Sequence, residues 1–153
     1  MIEFKGEVAL NGSPLQIWQA LNDPLVLKAA LPGCEEIIAI SDTEFRAVIA
    51  VKAGALNLKI RGRIFLDNLN PPISYSLRGE GDGGISGFIK GLAKVELVSD
   101  QQGGVVLQYV ATALPGGKMA SLGGRLLKGL GEKLAQDFFL ALKIEIDNRL
   151  ETL

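Results

Sequence analysis

The sequence predicts an α+β fold: an antiparallel sheet of about seven strands, curled around one long C-terminal helix, with two short helices after the first strand. Three observations point there. Apolar and polar residues alternate with a period of two through most of 35–114. Twice between residues 13 and 24 a capping residue is followed by proline, the signature of a helix start. From Leu122 to Leu150 a large apolar residue recurs at every fourth position. An antiparallel sheet with one apolar face needs a cover, and this last segment is the only one long enough to supply it.

The first strand is expected at about 2–10, with Phe4, Val8 and Leu10 on one face. Ser13-Pro14 opens a helix to about residue 21 that puts Leu15, Trp18 and Leu21 on one side. Asp23-Pro24 opens a second, ended by Leu31-Pro32-Gly33. Strands follow at 35–41 and 43–53. The next, 55–66, is the clearest, with Leu56, Leu58, Ile60, Ile64 and Leu66 facing one way and Asn57, Lys59, Arg61 and Arg63 the other. After the Asn70-Pro71-Pro72 turn come strands at about 73–81, 88–99 and 104–114. Pro115-Gly116-Gly117 then leads into a helix over about 118–150, roughly 45–50 Å long. Its four-residue spacing drifts by roughly 40° per step around the axis, so the apolar stripe winds as it must to cross a twisted sheet. This arrangement is a helix-grip fold, and 153 residues suit one domain, 1–153.

Composition narrows the function. The chain is 48% hydrophobic and 22% charged, with a net charge of −1, an ordinary globular balance with no general attraction for nucleic acid. There are no histidines, which removes the commonest general base and the commonest metal ligand together. The one cysteine, Cys34, can form no internal disulfide and has no histidine to activate it, so it reads as a small buried hydrophobe. No metal site is expected. The start MIEFKGEVAL alternates like a strand and lacks the features of a signal peptide, and no apolar run approaches the length of a membrane span, so a cytoplasmic address is expected.

Other motifs have bland and sharp readings. Residues 79–87, GEGDGGISG, read as a mobile loop; without a P-loop lysine they are poor phosphate ligands. Gly116-Gly117-Lys118 could hold an anion, and Lys59, Arg61 and Arg63 could meet an acidic surface, although a solvated charged face explains both. The segment 138–146 is apolar almost all round, consistent with burial between sheet and short helices or with a partner surface. Gly123, Gly124, Gly129 and Gly131 fall inside the expected helix, each at about 0.8–1.0 kcal/mol relative to alanine. Either close approach to the sheet or an unfilled space beneath the helix would account for them.

Taken together, Phe4-x-Gly6-Glu7, Trp18-x-Ala20-Leu21-Asn22-Asp23-Pro24, Leu31-Pro32-Gly33-Cys34-Glu35, Leu69-x-Pro71-Pro72, Gly79-Glu80-Gly81-x-Gly83-Gly84, Gly87-Phe88-x-Lys90-Gly91 and Gly116-Gly117-Lys118-x-Ala120-x-Leu122-Gly123 resemble the carbon monoxide dehydrogenase G-subunit family of the START-like (SRPBCC) superfamily. The resemblance implies a helix-grip domain with a hydrophobic cavity. It also implies a non-catalytic accessory protein that recruits a carbon monoxide dehydrogenase-type molybdenum hydroxylase to the inner face of the cytoplasmic membrane by handling a lipophilic molecule such as a quinone. Many family members carry a C-terminal hydrophobic anchor. This sequence ends at Leu153, so transient membrane contact or a soluble role is the expectation.

The expected function is therefore binding of an apolar small molecule, a quinone or lipid, with no cofactor and no catalysis. Leu58, Ile60, Tyr75, Leu77, Phe88, Tyr109, Leu122, Leu126 and Leu130 are expected to face the ligand, with Gly123 and Gly124 giving room and 79–87 as gate. The competing readings are a START-like cyclase or hydrolase, which would need an inward acid or base, and a pure interaction module using 138–146. Neither the oligomeric state nor the ligand is fixed by the sequence.

Overall fold

The computed structural model describes residues 1–151. β1 (Ile2–Leu10) leads through Ser13 into α1 (Pro14–Leu21) and α2 (Pro24–Ala30). Both caps predicted from the sequence form. The Gln16 amide donates to Ser13 Oγ at 3.1 Å and the Ser13 amide to Gln16 Oε1 at 2.8 Å, a capping box. The Leu25 amide donates to Asp23 Oδ1 at 2.9 Å. Then follow β2 (Cys34–Ser41), β3 (Glu44–Ala53), β4 (Leu56–Asn70), β5 (Ser74–Asp82), β6 (Phe88–Ser99), β7 (Val105–Gly116) and α3 (Gly124–Glu151).

The sheet is seven-stranded and antiparallel, in the order β1-β7-β6-β5-β4-β3-β2. Six strands form a meander, and β1 closes on its last member. β1 and β2 are thus the two edges, and α1–α2 bridge from one edge to the other. α3 packs against α1, α2, β1 and β3.

Two apolar cores hold α3 to the sheet. The larger gathers Leu142 and Ile146 with Ile17, Val26, Phe45, Leu97 and Leu107. The smaller gathers Leu127 with Ile2, Ala53, Leu58 and Met119. Along α3 they are separated by residues 131–137.

The structure departs from the sequence reading in two places. The long helix begins at Gly124, because Gly117–Leu122 winds as a tighter 3-10 turn and Gly123, at φ +93°, breaks the run. Only Gly129 and Gly131 are therefore interior to the helix, which halves the propensity cost expected of four glycines. Second, 79–87 is strand and tight turn rather than loop. β5 continues to Asp82, and a 3-10 turn over Gly84–Ser86 returns directly to β6. The turn is pinned by the Gly84 amide on Asp82 Oδ1 and the Gly83 amide on the Gly87 carbonyl, both at 2.8 Å. Glycine is used there for close approach: a Cβ on Gly81 would sit 2.8 Å from Ile60 Cγ2. Among the described residues, no helix is long and apolar enough to cross a membrane.

Candidate ligand-binding cavity

Alternation along β5, β6 and β7 sends Tyr75, Leu77, Ala93, Val95, Leu107 and Tyr109 to the concave face. The register sets Tyr75 opposite Val95 and Val95 opposite Tyr109, so the two tyrosines share one cross-strand row. Two strand spacings place their backbones roughly 10 Å apart. Above this row α3 presents Leu134, Ala135, Phe138 and Phe139, and α2 with its following turn presents Leu27, Leu31 and Pro32. These surfaces do not meet. They leave between them a cavity of about 380 Å³, partly open to the outside and within the range of small-molecule sites.

The lining is almost wholly apolar. Its polar side chains are Asn22, Tyr75 and Tyr109, and no charged residue contributes. Asn22 Nδ2 donates to the Trp18 carbonyl at 2.9 Å. The Trp18 and Tyr75 rings meet edge to face at 5.1 Å, and Tyr109 stacks on Phe139 at 5.0 Å with planes 28° apart. Tyr75 is only 5% exposed, and burial pushes its phenol far above the ordinary value, so it stays neutral. Tyr109 is less enclosed. Burial raises its pKa first, and the nearby Glu132 carboxylate adds to the rise. A larger surface depression, about 720 Å³, mixes charges of both signs (Lys5, Lys94, Lys128, Glu3, Glu132) with apolar side chains such as Phe4, Leu92 and Val110.

Of the side chains expected to face a ligand, Tyr75, Leu77 and Tyr109 line the cavity. Leu58 is buried in the smaller core, with Ile60, Leu122 and Leu130 packed against it. Leu126 is 41% exposed, near Gly54 in the β3–β4 hairpin, and is not part of the cavity lining. Phe88 is 46% exposed, with its ring lying over Gly116. Gly123 and Gly124 have open space around them but sit at the head of α3, away from the lining. The void therefore lies beneath the middle of α3, not beneath its N-terminal turns. Sequence reasoning missed Phe138, Phe139, Leu134 and Ala135 from α3, and Leu27, Leu31 and Pro32 from α2 and its following turn.

The basic row and Cys34 take their bland readings, whereas Leu140 and Ile144 of the 138–146 segment stay exposed. Lys59 pairs with Glu35 at 3.1 Å, and Arg63 and Arg46 both approach Glu44, at 3.8 and 3.6 Å. Cys34 is half-buried against the larger core, donates to the Glu36 carbonyl at 3.4 Å, and has its thiol pKa raised by burial. Among the described residues no cluster of acidic, cysteine or histidine side chains could hold a metal ion.

The family model for the G subunit of carbon monoxide dehydrogenase (CoxG) matches residues 6–147. A conserved protein from Geobacillus kaustophilus superposes with a TM-score of 0.88 at 28% identity, covering 96% of both chains. A START superfamily protein from Mycobacterium smegmatis gives 0.76 at 12% identity over 95% of this chain and 97% of that one. The ZhuI aromatase/cyclase from Streptomyces sp. R1128 gives 0.67 at 16% identity, over 97% and 94%. The last two are similar in fold alone, and that fold is START-like. No curated protein matches the sequence.

Proposed function

The chain belongs to the CoxG family, the G subunits of carbon monoxide dehydrogenase, and from that premise we propose that it is a non-catalytic carrier of a lipophilic small molecule, quinone- or lipid-like, serving a molybdenum hydroxylase of the carbon monoxide dehydrogenase type. One observation carries the proposal: the apolar cavity of about 380 Å³ between α2, α3 and the sheet. Close packing is the rule in protein interiors, and side chains of Leu, Ile, Val and Phe that line an unfilled space lose dispersion contacts that an apolar ligand would restore.

The lining also supports binding over chemistry. Acid–base catalysis needs a group that titrates near the working pH. Asn22 does not titrate, and both tyrosines are shifted upward, away from neutrality. The aromatase/cyclase among the fold neighbours keeps an enzyme as the second reading, and an acid or base brought in by a partner would be its requirement. In the accessory reading, the protein would take its ligand at the cytoplasmic face of the membrane and present it to the partner enzyme.

Native mass spectrometry of the purified protein, mixed with short-chain ubiquinone and menaquinone analogues and with a phospholipid, tests the reading. The expected result is a stoichiometric adduct with at least one of them and a matching rise in melting temperature. At ligand 100-fold above Kd the stabilisation should be about 2.7 kcal/mol. No adduct and no thermal shift with any of them would refute it.

A further inference from the structure

We propose that Tyr75 is the specificity-determining side chain of this cavity, donating a hydrogen bond from its phenol hydroxyl to a carbonyl-type oxygen on an uncharged ligand. The inference deepens the carrier reading and rests on it.

Tyr75 is 5% exposed and lines the cavity. Its ring meets Trp18, yet its hydroxyl has no hydrogen-bond partner among the described residues. Among the described residues the fully buried side-chain oxygen without a hydrogen-bond partner is Glu44 Oε2, so the Tyr75 hydroxyl is reachable from the cavity that Tyr75 lines rather than sealed in the packing. A ligand acceptor within the cavity would satisfy the hydroxyl, and because burial holds the phenol neutral, it stays a donor across the physiological range.

The same lining says what the ligand is not. With no lysine or arginine around the cavity, an ionised carboxylate or phosphate would be buried without a counter-charge. A pure hydrocarbon would leave the hydroxyl unpaired. An uncharged molecule with a carbonyl oxygen meets both conditions. Tyr109, in the same row, does not play this part. Its hydroxyl lies over Gly6, 2.8 Å from where a Cβ would stand, on the β1 side and within reach of the Glu132 charge.

Three probes of one shape make the test: 2-acetylnaphthalene, 2-ethylnaphthalene and 2-naphthoate, titrated calorimetrically into the wild type, Tyr75→Phe and Tyr109→Phe at neutral pH. The wild type should bind the ketone about three- to tenfold more tightly than the ethyl compound, the worth of one neutral hydrogen bond, and the carboxylate more weakly than either. Tyr75→Phe should bring the ketone down to the level of the ethyl compound; Tyr109→Phe, which alters the lining but leaves the Tyr75 hydroxyl, should keep the ketone ahead of the ethyl compound whatever its effect on both. Ketone and ethyl compound binding equally to the wild type, a preference surviving Tyr75→Phe, or naphthoate binding as tightly as the ketone would overturn the assignment while leaving the carrier reading intact. If none of the three binds, the assignment falls, and the quinone and phospholipid adducts decide the carrier reading separately. Circular dichroism of each variant establishes that it is folded, and the wild-type preference is readable without any variant.

Discussion

The ring of Phe4 on β1 occupies the space that a side chain at Gly131 of α3 would need: a Cβ there would stand 2.5 Å from Phe4 Cζ. Gly129, one half-turn earlier, has nothing within 4 Å of the same point. The two glycines therefore predict opposite effects. Gly129→Ala should stabilise by about 0.8–1 kcal/mol, the helix-propensity gain alone. Gly131→Ala must displace the ring, and overpacking of about 1–3 kcal/mol outweighs the gain, so its melting temperature should fall. In a Phe4→Leu background Gly131→Ala should lose its penalty, a coupling that a double-mutant cycle by thermal denaturation would measure.

Leu142 is 0% exposed at the centre of the larger core, whereas Leu140, two residues earlier, is 63% exposed. Leu142→Ala should cost about 2–5 kcal/mol in urea unfolding, and Leu140→Ala should stay within about 0.5 kcal/mol of the wild type. Equal effects would mean that α3 is rotated from the orientation described.

These positions show what the sequence could and could not reveal. The strands and caps were legible because their causes are local: alternation in β4, Ser13 with Gln16, Asp23 before Pro24. The place of the cavity was not, because the four-residue stripe winds. From Leu126 to Leu142 there are four steps of roughly 40°, so roughly 160° of drift separates them. One is exposed and the other fully buried, though both belong to the same apolar repeat. Which stretch of α3 stands off the sheet depends on side-chain volumes across it, Ala135 above and Ala93 below, which come together only in the folded register. Two signals were available: the Phe138-Phe139 pair, an aromatic wall, and the alanine at 135 inside a leucine-rich helix. The glycines of 79–87 misled for a related reason, since composition alone does not separate flexibility from close strand packing.

Asp23 caps α2 and also accepts a hydrogen bond from Arg149 near the end of α3. Arg149 holds its carboxyl below the ordinary value, 3.8, despite some desolvation in the other direction. A depressed folded-state pKa adds stability that is present above the unfolded value and disappears as pH falls through the folded one. Asp23→Asn keeps the cap and loses the charge. The wild type should exceed it by up to about 1 kcal/mol at pH 7, the ceiling for an exposed pair. The gap should close below about pH 4, when the unfolded carboxyl and then the folded one protonate. Denaturation curves of both proteins from pH 7 to 3 would check this, and a gap that widened toward acid would contradict the assigned pairing.

Ala135 offers the most direct probe of the empty space, since it faces the cavity from α3 and a larger apolar residue there has room to grow inward. Two forces decide the outcome of Ala135→Leu. If the space is vacant, the added methyl groups gain dispersion contacts and the fold is as stable as before or more so. If neighbouring side chains already fill it, overpacking costs about 1–3 kcal/mol. The expected result is unchanged or raised stability in the ligand-free protein, with at least tenfold weaker binding of whichever quinone or lipid probe the wild type takes up. At a ligand concentration 100-fold above the wild-type Kd, the ligand-induced stabilisation should drop from about 2.7 to about 1.4 kcal/mol. Thermal melts with and without ligand read both quantities together. A variant that is destabilised and yet binds as well as the wild type would mean that the ligand lies elsewhere and that the space beneath the middle of α3 is closed.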